Sequence, residues 1–512
     1  MKASTELFNL VKSLSKSEKR FFKLSSSLQS GEKNYLKIFD CIDKQKSYNE
    51  EEIKLSFKTE TFIKHFPSEK NHLYKLILKS LRSFHSDKTI SSILKQEVKN
   101  VEILYRKALF SECNKFVSRA KKQAIEHEKF YYWFELLGWE KLLLEEAYEA
   151  GRFDRNLDEL IEEEQEVINK LRNLAEYQML YSRINFLYRS GGFSKNENER
   201  KEVDEIAQHP LIKGKNTALS SRAATICYYI QGLCAATNRD YQTSFFKFLR
   251  VKTILDKNPL LKSDLAKRYV RTLKNLLYCY IDNNELDRAK ETIQMMRELP
   301  NEKGFDSIDV KVKIFTSSYI AELMICDRKG TYDESLKIAE EIIKGIDSYD
   351  EKINKEQKIV FYYNLTYVYF GCEQYSNALK WVNKLLNDNE QTLRQDIYNF
   401  ARLFNLIIHF ELENYDLLEY IIKSTSRHLK KQKKDYQVEF LIIKYLKKLI
   451  KTDNKEVRLK IFNQMYTDLK LAFESPNERV VLQYFDYLSW SACKAQEISF
   501  AEAVQIKQAQ LS

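Results

Sequence analysis

Apolar residues recur at helical spacing on both sides of a short polar interval between Tyr362 and Glu390. Upstream, YYNLTYVYF places apolar side chains at i, i+3 and i+7 counted from Tyr362. Downstream, NALKWVNKLL places them at i, i+4 and i+7 counted from Ala378. Each spacing gives a helix with one apolar stripe. The interval between them holds Gly371 and several polar residues, which end the first helix. The pattern predicts two short amphipathic helices that pack together across a tight turn.

Related blocks occur through most of the chain. When each block is aligned on the small or apolar residue after its turn, successive aligned positions lie 40 to 46 residues apart. A near-constant spacing of this kind indicates stacked supersecondary units. The blocks around Val203 and Leu459 match least well. The aligned positions are Cys113, Leu157, Val203, Ser244, Ala289, Ser335, Ala378, Leu418 and Leu459.

The order of residues within a block resembles the tetratricopeptide repeat. In the block described first, an aromatic residue, Leu365 and Tyr369 precede the turn, and Tyr375, Ala378 and two apolar residues follow it. The resemblance covers residues 100 to 470 and implies helix pairs stacked into a right-handed α-solenoid of about nine pairs. The period departs from the family, since the standard repeat has about 34 residues. Longer helices or longer links between units would account for the difference.

The whole chain is predicted to be all-α. It holds only 11 Gly and 5 Pro in 512 residues, and strict alternation of apolar and polar residues is hard to find. Three segments are expected: a basic N-terminal helical capping domain (1–90), tetratricopeptide-like repeats (91–475), and a C-terminal capping helix with a tail (476–512). In the first segment, Ser15 with Glu18 fits a capping box, and Ser68 is predicted to cap a long basic helix.

That long helix also suggests an alternative role for the N-terminal segment. A short helix, a connection and a basic helix loosely resemble a helix-turn-helix, although the connection from 58 to 67 is longer than usual. If the segment reads nucleic acid, the groove-facing candidates are Lys70, Asn71, Lys75, Lys79 and Arg82. If it does not, it is a bundle that caps the first repeat.

Charge is unevenly distributed along a chain whose formal net charge is +11. Residues 1–99 carry a net +8, residues 130–170 a net −8, and residues 423–460 a net +9. Such blocks either steer oppositely charged partners or are the solvated faces of helices. Within the last block, Lys430, Lys431, Lys433 and Lys434 form a basic run that could contact an acidic partner or phosphates.

The densest aromatic patch lies in YYWFELLGW. Tyr132, Trp133 and the following phenylalanine spread over about 200 degrees of a helix, so one stripe cannot bury all of them. They are either packed between flanking repeats or part of a wall that binds a peptide. The candidate partner-binding residues in this patch are Tyr132, Trp133 and Trp139.

No known catalytic, phosphate-binding or metal-ligating motif appears in the sequence. The seven histidines are dispersed, and the eight cysteines occur singly without a CxxC pair. We therefore expect no enzyme activity, no cofactor and no metal. The N-terminus lacks a secretory signal and no apolar run is long enough to cross a bilayer, so the expected location is the cytoplasm.

Two functions remain open at this point. The first is a non-enzymatic scaffold that binds a peptide or protein along the solenoid surface. The second is a regulator whose basic N-terminal bundle contacts nucleic acid while the repeats sense a peptide. In general plan, the second resembles bacterial peptide-sensing regulators. Nucleic-acid binding that depends on residues 1–90 would separate the two.

Overall fold

The computed structural model of the chain describes residues 5–27, 33–150, 157–189, 197–388, 393–431, 436–475 and 478–511. Over these ranges the regular structure is helical, and no β-strand occurs in them. The all-α prediction is confirmed. The chain divides into two compact units, Met1–Arg172 and Asn173–Ser512. The finer boundaries expected at residues 90 and 475 stay predictions.

The first unit contains eight complete α-helices and the start of a ninth within its described ranges. Helices α1, α2 and α3 each pack against α5, and α7 packs against both α6 and α8. The helices are α1 (Glu6–Ser13), α2 (Lys16–Ser27), α3 (Asn34–Lys44), α4 (Glu50–Ser56), α5 (Phe66–Phe84), α6 (Ile90–Arg106), α7 (Phe110–Glu126), α8 (Phe130–Glu149) and α9 (Leu157–Arg189), which continues into the second unit.

Two predicted helix starts in this unit have different outcomes. The Ser15 backbone N–H donates to Glu18 Oε2 over 2.7 Å, and the Glu18 N–H donates to Ser15 Oγ over 3.3 Å. This reciprocal pair is a capping box, as predicted. The predicted cap at Ser68 is wrong, because α5 begins at Phe66 with Pro67 in its first turn. Proline suits that position, since its fixed φ matches the helix and no N–H partner is needed there.

The second unit is a succession of helices from the end of α9 to the C-terminus. They are α10 (Glu197–Gln208), α11 (Pro210–Lys213), α12 (Ser221–Thr237), α13 (Tyr241–Asp256), α14 (Pro259–Asp264), α15 (Ala266–Asp282), α16 (Leu286–Glu298), α17 (Ile308–Lys329), α18 (Tyr332–Tyr349), α19 (Lys355–Gly371), α20 (Tyr375–Leu386), α21 (Gln395–Glu411), α22 (Tyr415–Lys431), α23 (Gln437–Leu449), α24 (Lys455–Ala472), α25 (Tyr487–Gln496) and α26 (Phe500–Leu511). A 3-10 helix, Glu478–Gln483, precedes α25.

Contacts in the second unit follow a regular scheme. From α15 to α23, each odd-numbered helix packs against the even-numbered helix that follows it and against the next odd-numbered helix. The turn after several odd-numbered helices, and after α12, contains one residue in the left-handed conformation. These residues are Arg239, Asn284, Gly330, Glu373 and Glu413, with φ between 57° and 64°. The same left-handed backbone conformation therefore recurs in the turns that connect successive helices.

Most of the nine aligned positions are buried in the helix after such a turn. Cys113, Val203, Ser244, Ala289, Ser335, Ala378 and Leu418 are at most 1% exposed, which lets the two helices of each block approach closely. Leu157 is 45% exposed and Leu459 is half-buried. The spacing found in the sequence thus corresponds to buried helix contacts in seven of the nine blocks.

Gly371, the last residue of α19, gives a test of this packing. A Cβ built on it would overlap the ring of Tyr332, which is buried at the start of α18. We expect Gly371→Ala to lower the free energy of unfolding by about 1–3 kcal/mol, as overpacking does. Urea denaturation followed by circular dichroism measures it.

Gly138→Ala is the matched control, because a Cβ at that position in α8 meets no atom within 4 Å. It should be neutral or stabilising by about 0.5–1 kcal/mol, since alanine favours a helix. Equal effects of the two substitutions would contradict the described contact.

Candidate functional site

The aromatic patch of the first unit is partly used in packing between helices. Trp133 is buried, its indole N–H donates to Glu163 Oε1 of α9 over 2.6 Å, and Lys170 Nζ lies 5.2 Å from its ring centre. Trp139 is half-buried, with its ring centre 5.5 Å from that of Tyr105. Trp133 thus joins α8 to α9. Its neighbours Tyr131 and Phe134, not the two tryptophans, form the exposed part of the patch.

Tyr132 is neither as buried as Trp133 nor as exposed as Tyr131. It is half-buried and makes an edge contact with the ring of Tyr131, which is 66% exposed. Burial, which is the largest cause, and nearby Glu135 raise the pKa of Tyr132. Tyr132 and Trp139 stay predicted partner contacts, since a partly exposed side chain can still meet a ligand.

The predicted basic run lies almost wholly beyond what the structure describes. Lys430 and Lys431 are the last two residues of α22, and their side chains lie outside the described part. Lys433 and Lys434 lie wholly outside it. Upstream, Arg427 is exposed and His428 is hydrogen-bonded to Asn399 over 3.1 Å.

The five candidate nucleic-acid contacts on α5 fall into two groups. Lys70 pairs with Glu50 over 2.6 Å and lies 5.3 Å from the ring centre of Phe66, so it stabilises the bundle. Burial acts to raise the pKa of Glu50, but hydrogen bonds from Lys70, Tyr48 and Lys54 outweigh it and hold that pKa at about 2.

The second group is one exposed face of α5. Asn71, Lys75, Lys79 and Arg82 are all exposed and follow helical spacing. Within the described part of the chain, the three cations form no ion pair. They are the members of the predicted set that remain accessible to a ligand.

The end of the chain packs back against earlier helices of the second unit, which the sequence did not predict. Residues 478–511, which we call the C-terminal segment, run back along α21, α19 and α17. Tyr484 stacks on Phe400 of α21 with ring centres 4.0 Å apart, and its hydroxyl donates to Asp396 over 2.8 Å. Tyr363 of α19 donates its hydroxyl to the carbonyl oxygen of Tyr484 over 3.2 Å. The segment is thus fixed by both rings and hydrogen bonds.

Phe485 carries the apolar part of this contact. It is fully buried, and its ring centre lies 4.5 Å from that of Phe404 and 5.3 Å from that of Phe370. Phe500 at the start of α26 stacks parallel to it at 5.7 Å and also meets Tyr332. Aromatic pairs at these separations contribute about 0.5–1.5 kcal/mol each beyond their buried area.

One carboxylate of α21 and one of the C-terminal segment complete the contact. The indole N–H of Trp490 donates to Glu411 Oε1 over 2.7 Å, and Lys494 pairs with the other oxygen of Glu411. Glu478 accepts the backbone N–H groups of Gln437 (3.0 Å) and Val438 (3.1 Å) at the start of α23. A carboxylate at a helix N-terminus satisfies free N–H groups and the helix dipole.

The far end of the segment passes over the end of α17. Gln505 donates to the carbonyl oxygen of Gly330 over 3.1 Å, and Gln508 donates to Asn284 over 2.9 Å. A Cβ at Gly330 would lie 2.8 Å from the carbonyl oxygen of Ala501. The close approach of α26 therefore requires glycine at this position, and its φ of 64° is one that glycine adopts without strain.

A polar cluster lies where the segment meets α17, α18 and α19. Asp327 Oδ1 is buried and accepts no hydrogen bond from the described residues. Burial raises the pKa of Asp327 to about 8. The same carboxyl is close enough to raise the pKa of Tyr332 and of Tyr367, which burial already raises well above the usual value. Asp486 lies nearby and pairs with Lys507 of α26 over 2.7 Å.

Other chemistry is sparse in the described part of the chain. Among the residues described, His, Cys, Asp and Glu side chains are nowhere grouped as a metal ion requires. The eight cysteines are free thiols, six of them buried. A groove of about 570 Å³ between α16, α17 and α18 is lined by both acidic and basic side chains, including the ion pair Arg297–Glu322. No described helix has the length and apolar character needed to cross a membrane.

The chain matches no protein-family model, no curated protein and no solved structure. The resemblance to the tetratricopeptide repeat therefore stays a prediction from the residue pattern.

Phe485→Ala tests the packing of the C-terminal segment. Removal of the buried ring should weaken docking of the segment by about 3–5 kcal/mol. Trypsin should then cleave faster after Lys494 and Lys507, which mass spectrometry of timed digests measures. Leu471→Ala removes an exposed side chain of α24 and should leave the cleavage rate unchanged. Equal rates for both variants would contradict the docked arrangement.

Asp327 predicts a pH dependence of stability. Its carboxyl is neutral in the folded chain below about pH 8, whereas the unfolded chain ionises it above about pH 4. The folded state therefore binds the extra proton between these values, and stability falls as pH rises through this window. Asp327→Asn should raise the free energy of unfolding at pH 7 by about 1–3 kcal/mol and flatten its pH dependence between pH 5 and 8.

The control for this experiment is Asp453→Asn, because the side chain of Asp453 is 99% exposed. Its denaturation midpoints should track those of the parent chain at every pH. A parent-like pH profile in Asp327→Asn would show that the buried carboxyl does not set the dependence.

Proposed function

We propose that the chain is a non-enzymatic interaction protein whose helix pairs form a right-handed α-solenoid that binds a peptide or protein. Three features support the solenoid. Buried aligned residues recur at the spacing found in the sequence, and left-handed turn residues recur between helices. In addition, alternate helices contact one another from α15 to α23, as in stacked repeats.

The observation that carries the binding role is the C-terminal segment itself. The faces of α17, α19 and α21 hold a stretch of chain by aromatic stacking and by a hydrogen bond to its backbone. One carboxylate, Glu411, also bonds to both Trp490 and Lys494 of that stretch. Recognition of a peptide by a repeat array uses the same kinds of contact. The segment reaches Asn284 after α15, and we infer that a partner contacts the helices that precede this point.

The experiment is a nuclease-treated pull-down from lysate of the source organism with the full chain as bait. The comparison bait carries Lys75→Glu, Lys79→Glu and Arg82→Glu on the exposed face of α5. Proteins captured equally by both baits, and confirmed by reciprocal capture, support the scaffold. The scaffold proposal would be contradicted if no protein is captured by the full chain and also captures it in the reciprocal experiment.

A second candidate function rests on the exposed face of α5. A regulator would bind nucleic acid through Lys75, Lys79 and Arg82, which carry no ion pair with the described residues. Fluorescence anisotropy with duplex DNA at several salt concentrations distinguishes it. For the regulator, the triple variant should lower the slope of log affinity against log salt by about 3, at about 0.9 per phosphate contact.

The matched control is Lys447→Glu, Lys448→Glu and Lys451→Glu, which makes the same change in net charge on exposed residues of another surface. Under the scaffold proposal, the two triple variants should alter DNA binding to the same small extent. A loss confined to the α5 variant would favour the regulator instead.

A further inference from the structure

Three arginines converge where α9, α12 and α15 meet. Arg268 and Arg271 are three residues apart on α15 and therefore share a face of that helix. Arg268 Nη1 donates to Thr225 Oγ1 of α12 over 2.9 Å, and Arg271 Nη1 donates to the hydroxyl oxygen of Tyr181 of α9 over 3.1 Å. Arg222, one turn before Thr225, is the third arginine.

The charges at this place are not balanced. Arg222 pairs with Asp264 over 2.5 Å. In the part of the chain that the structure describes, Arg268 and Arg271 bond only to neutral hydroxyl groups, and Arg271 Nε is buried without an acceptor. Arginines elsewhere in this unit, such as Arg297 and Arg394, pair with carboxylates. Two partly buried positive charges here thus lack an anionic partner, an arrangement that costs free energy.

The titration of Arg268 agrees with this geometry. Burial is the largest cause and, with the neighbouring charges of Arg222 and Arg271, lowers its pKa to about 10, against opposing effects of Tyr181 and Tyr229. Arg268 remains charged at neutral pH. Its environment would favour an added negative charge.

Neutral groups hold the site in a fixed arrangement. Asn275 Nδ2 donates to the hydroxyl oxygen of Tyr229 over 3.1 Å, and the rings of Tyr229 and Tyr181 meet edge to face at 5.9 Å. As whole residues, Arg268 and Arg271 are only half-buried, so the site lies at the edge of the helix contact and not deep in the core.

We propose that Arg268, Arg271 and Tyr181 form a binding site for a phosphate monoester. A guanidinium fork matches the oxygen geometry of phosphate, and hydrogen bonds between charged groups are the strong ones. A phosphate monoester carries about −1.5 to −2 charges at pH 7, which balances two guanidinium groups. A carboxylate would leave one of them unpaired. The site goes beyond the proposed interaction role, since the phosphate can belong to a free compound or to a phosphorylated partner residue.

The test is the thermal unfolding midpoint of the full chain against inorganic phosphate, with sodium chloride adjusted to constant ionic strength. A ligand that binds only the folded state raises the midpoint in a saturable way. Arg268→Met and Arg271→Met should each weaken the phosphate response by about tenfold or more, as loss of a charge-assisted bond does. Each should also raise the phosphate-free midpoint, because an uncompensated charge is removed.

Two further variants keep the test decisive. Arg271→Lys retains the charge and the fold but loses the fork, and it should also bind phosphate more weakly. Arg288→Met removes an exposed arginine of α16 that pairs with Glu285, and its phosphate response should equal that of the parent. The proposal is overturned if the parent shows no saturable response. It is equally overturned if the Met variants respond like the parent, or if they merely lower the phosphate-free midpoint.

A second ligand identifies the source of the phosphate. N-acetyl-phosphoserine amide represents a phosphorylated residue of a partner, and N-acetyl-serine amide is its control. Binding of the phosphoserine derivative at least as tightly as inorganic phosphate supports the site and assigns it to a partner. Binding of inorganic phosphate alone supports the site and assigns it to a free phosphate compound. Because this assay needs no partner, its failure and the failure of the pull-down are independent.

Discussion

The burial of Phe485 is the contact on which the packing of the C-terminal segment against α19 and α21 depends. Its ring lies against Phe404 of α21 and Phe370 of α19 and stacks on Phe500 of α26. Through this one side chain the end of the chain joins helices that precede it by about eighty to more than a hundred residues. Stacked helices otherwise contact only their neighbours, so a returning segment adds long-range contacts that repeats alone do not have. The apolar burial also holds the surrounding polar groups in place.

Several carboxylates in contact with the C-terminal segment are hydrogen-bonded, whereas charged groups at two places in the second unit lack an opposite charge. Asp396, Glu411 and Glu478 each accept hydrogen bonds from the groups that bury them. Asp327 and the pair Arg268 and Arg271 do not have a partner of opposite charge in the described structure. Since natural proteins break local rules mostly where function requires it, these exceptions are the most informative positions in the unit. The two arginines lie together and suggest an anionic ligand, whereas the single carboxyl of Asp327 affects stability.

Some of this architecture could be predicted from the sequence, because it depends on local pattern. Few glycines and prolines and a 3.6-residue apolar period give helices, and the capping box at Ser15 needs only residues within one turn. The run from 157 to 189 contains neither glycine nor proline, so α9 continues through it as one helix. The aromatic patch was recognisable, but its spread around the helix did not show that Trp133 would turn toward α9.

The remaining features depend on residues far apart in the chain. Tyr363 and Tyr484 are 121 residues apart, and Gln505 and Gly330 are 175 apart. No periodicity encodes such a pairing. The aromatic residues of YFDYLSW were the available signal, and they indicated only a closing helix. Likewise, nothing in the sequence distinguishes Arg268 from the other arginines, because its neutral partner Thr225 lies on a different helix.

Hydrogen exchange of the full chain tests the central claim that the C-terminal segment lies on α17, α19 and α21. Isolated helices of 10 or 12 residues are marginal in water, so α25 and α26 hold their hydrogen bonds only if they are packed. The account predicts that their amides exchange as slowly as those of α21, because all belong to one packed unit. Exchange of residues 487–511 at the rate of an unstructured chain would contradict it.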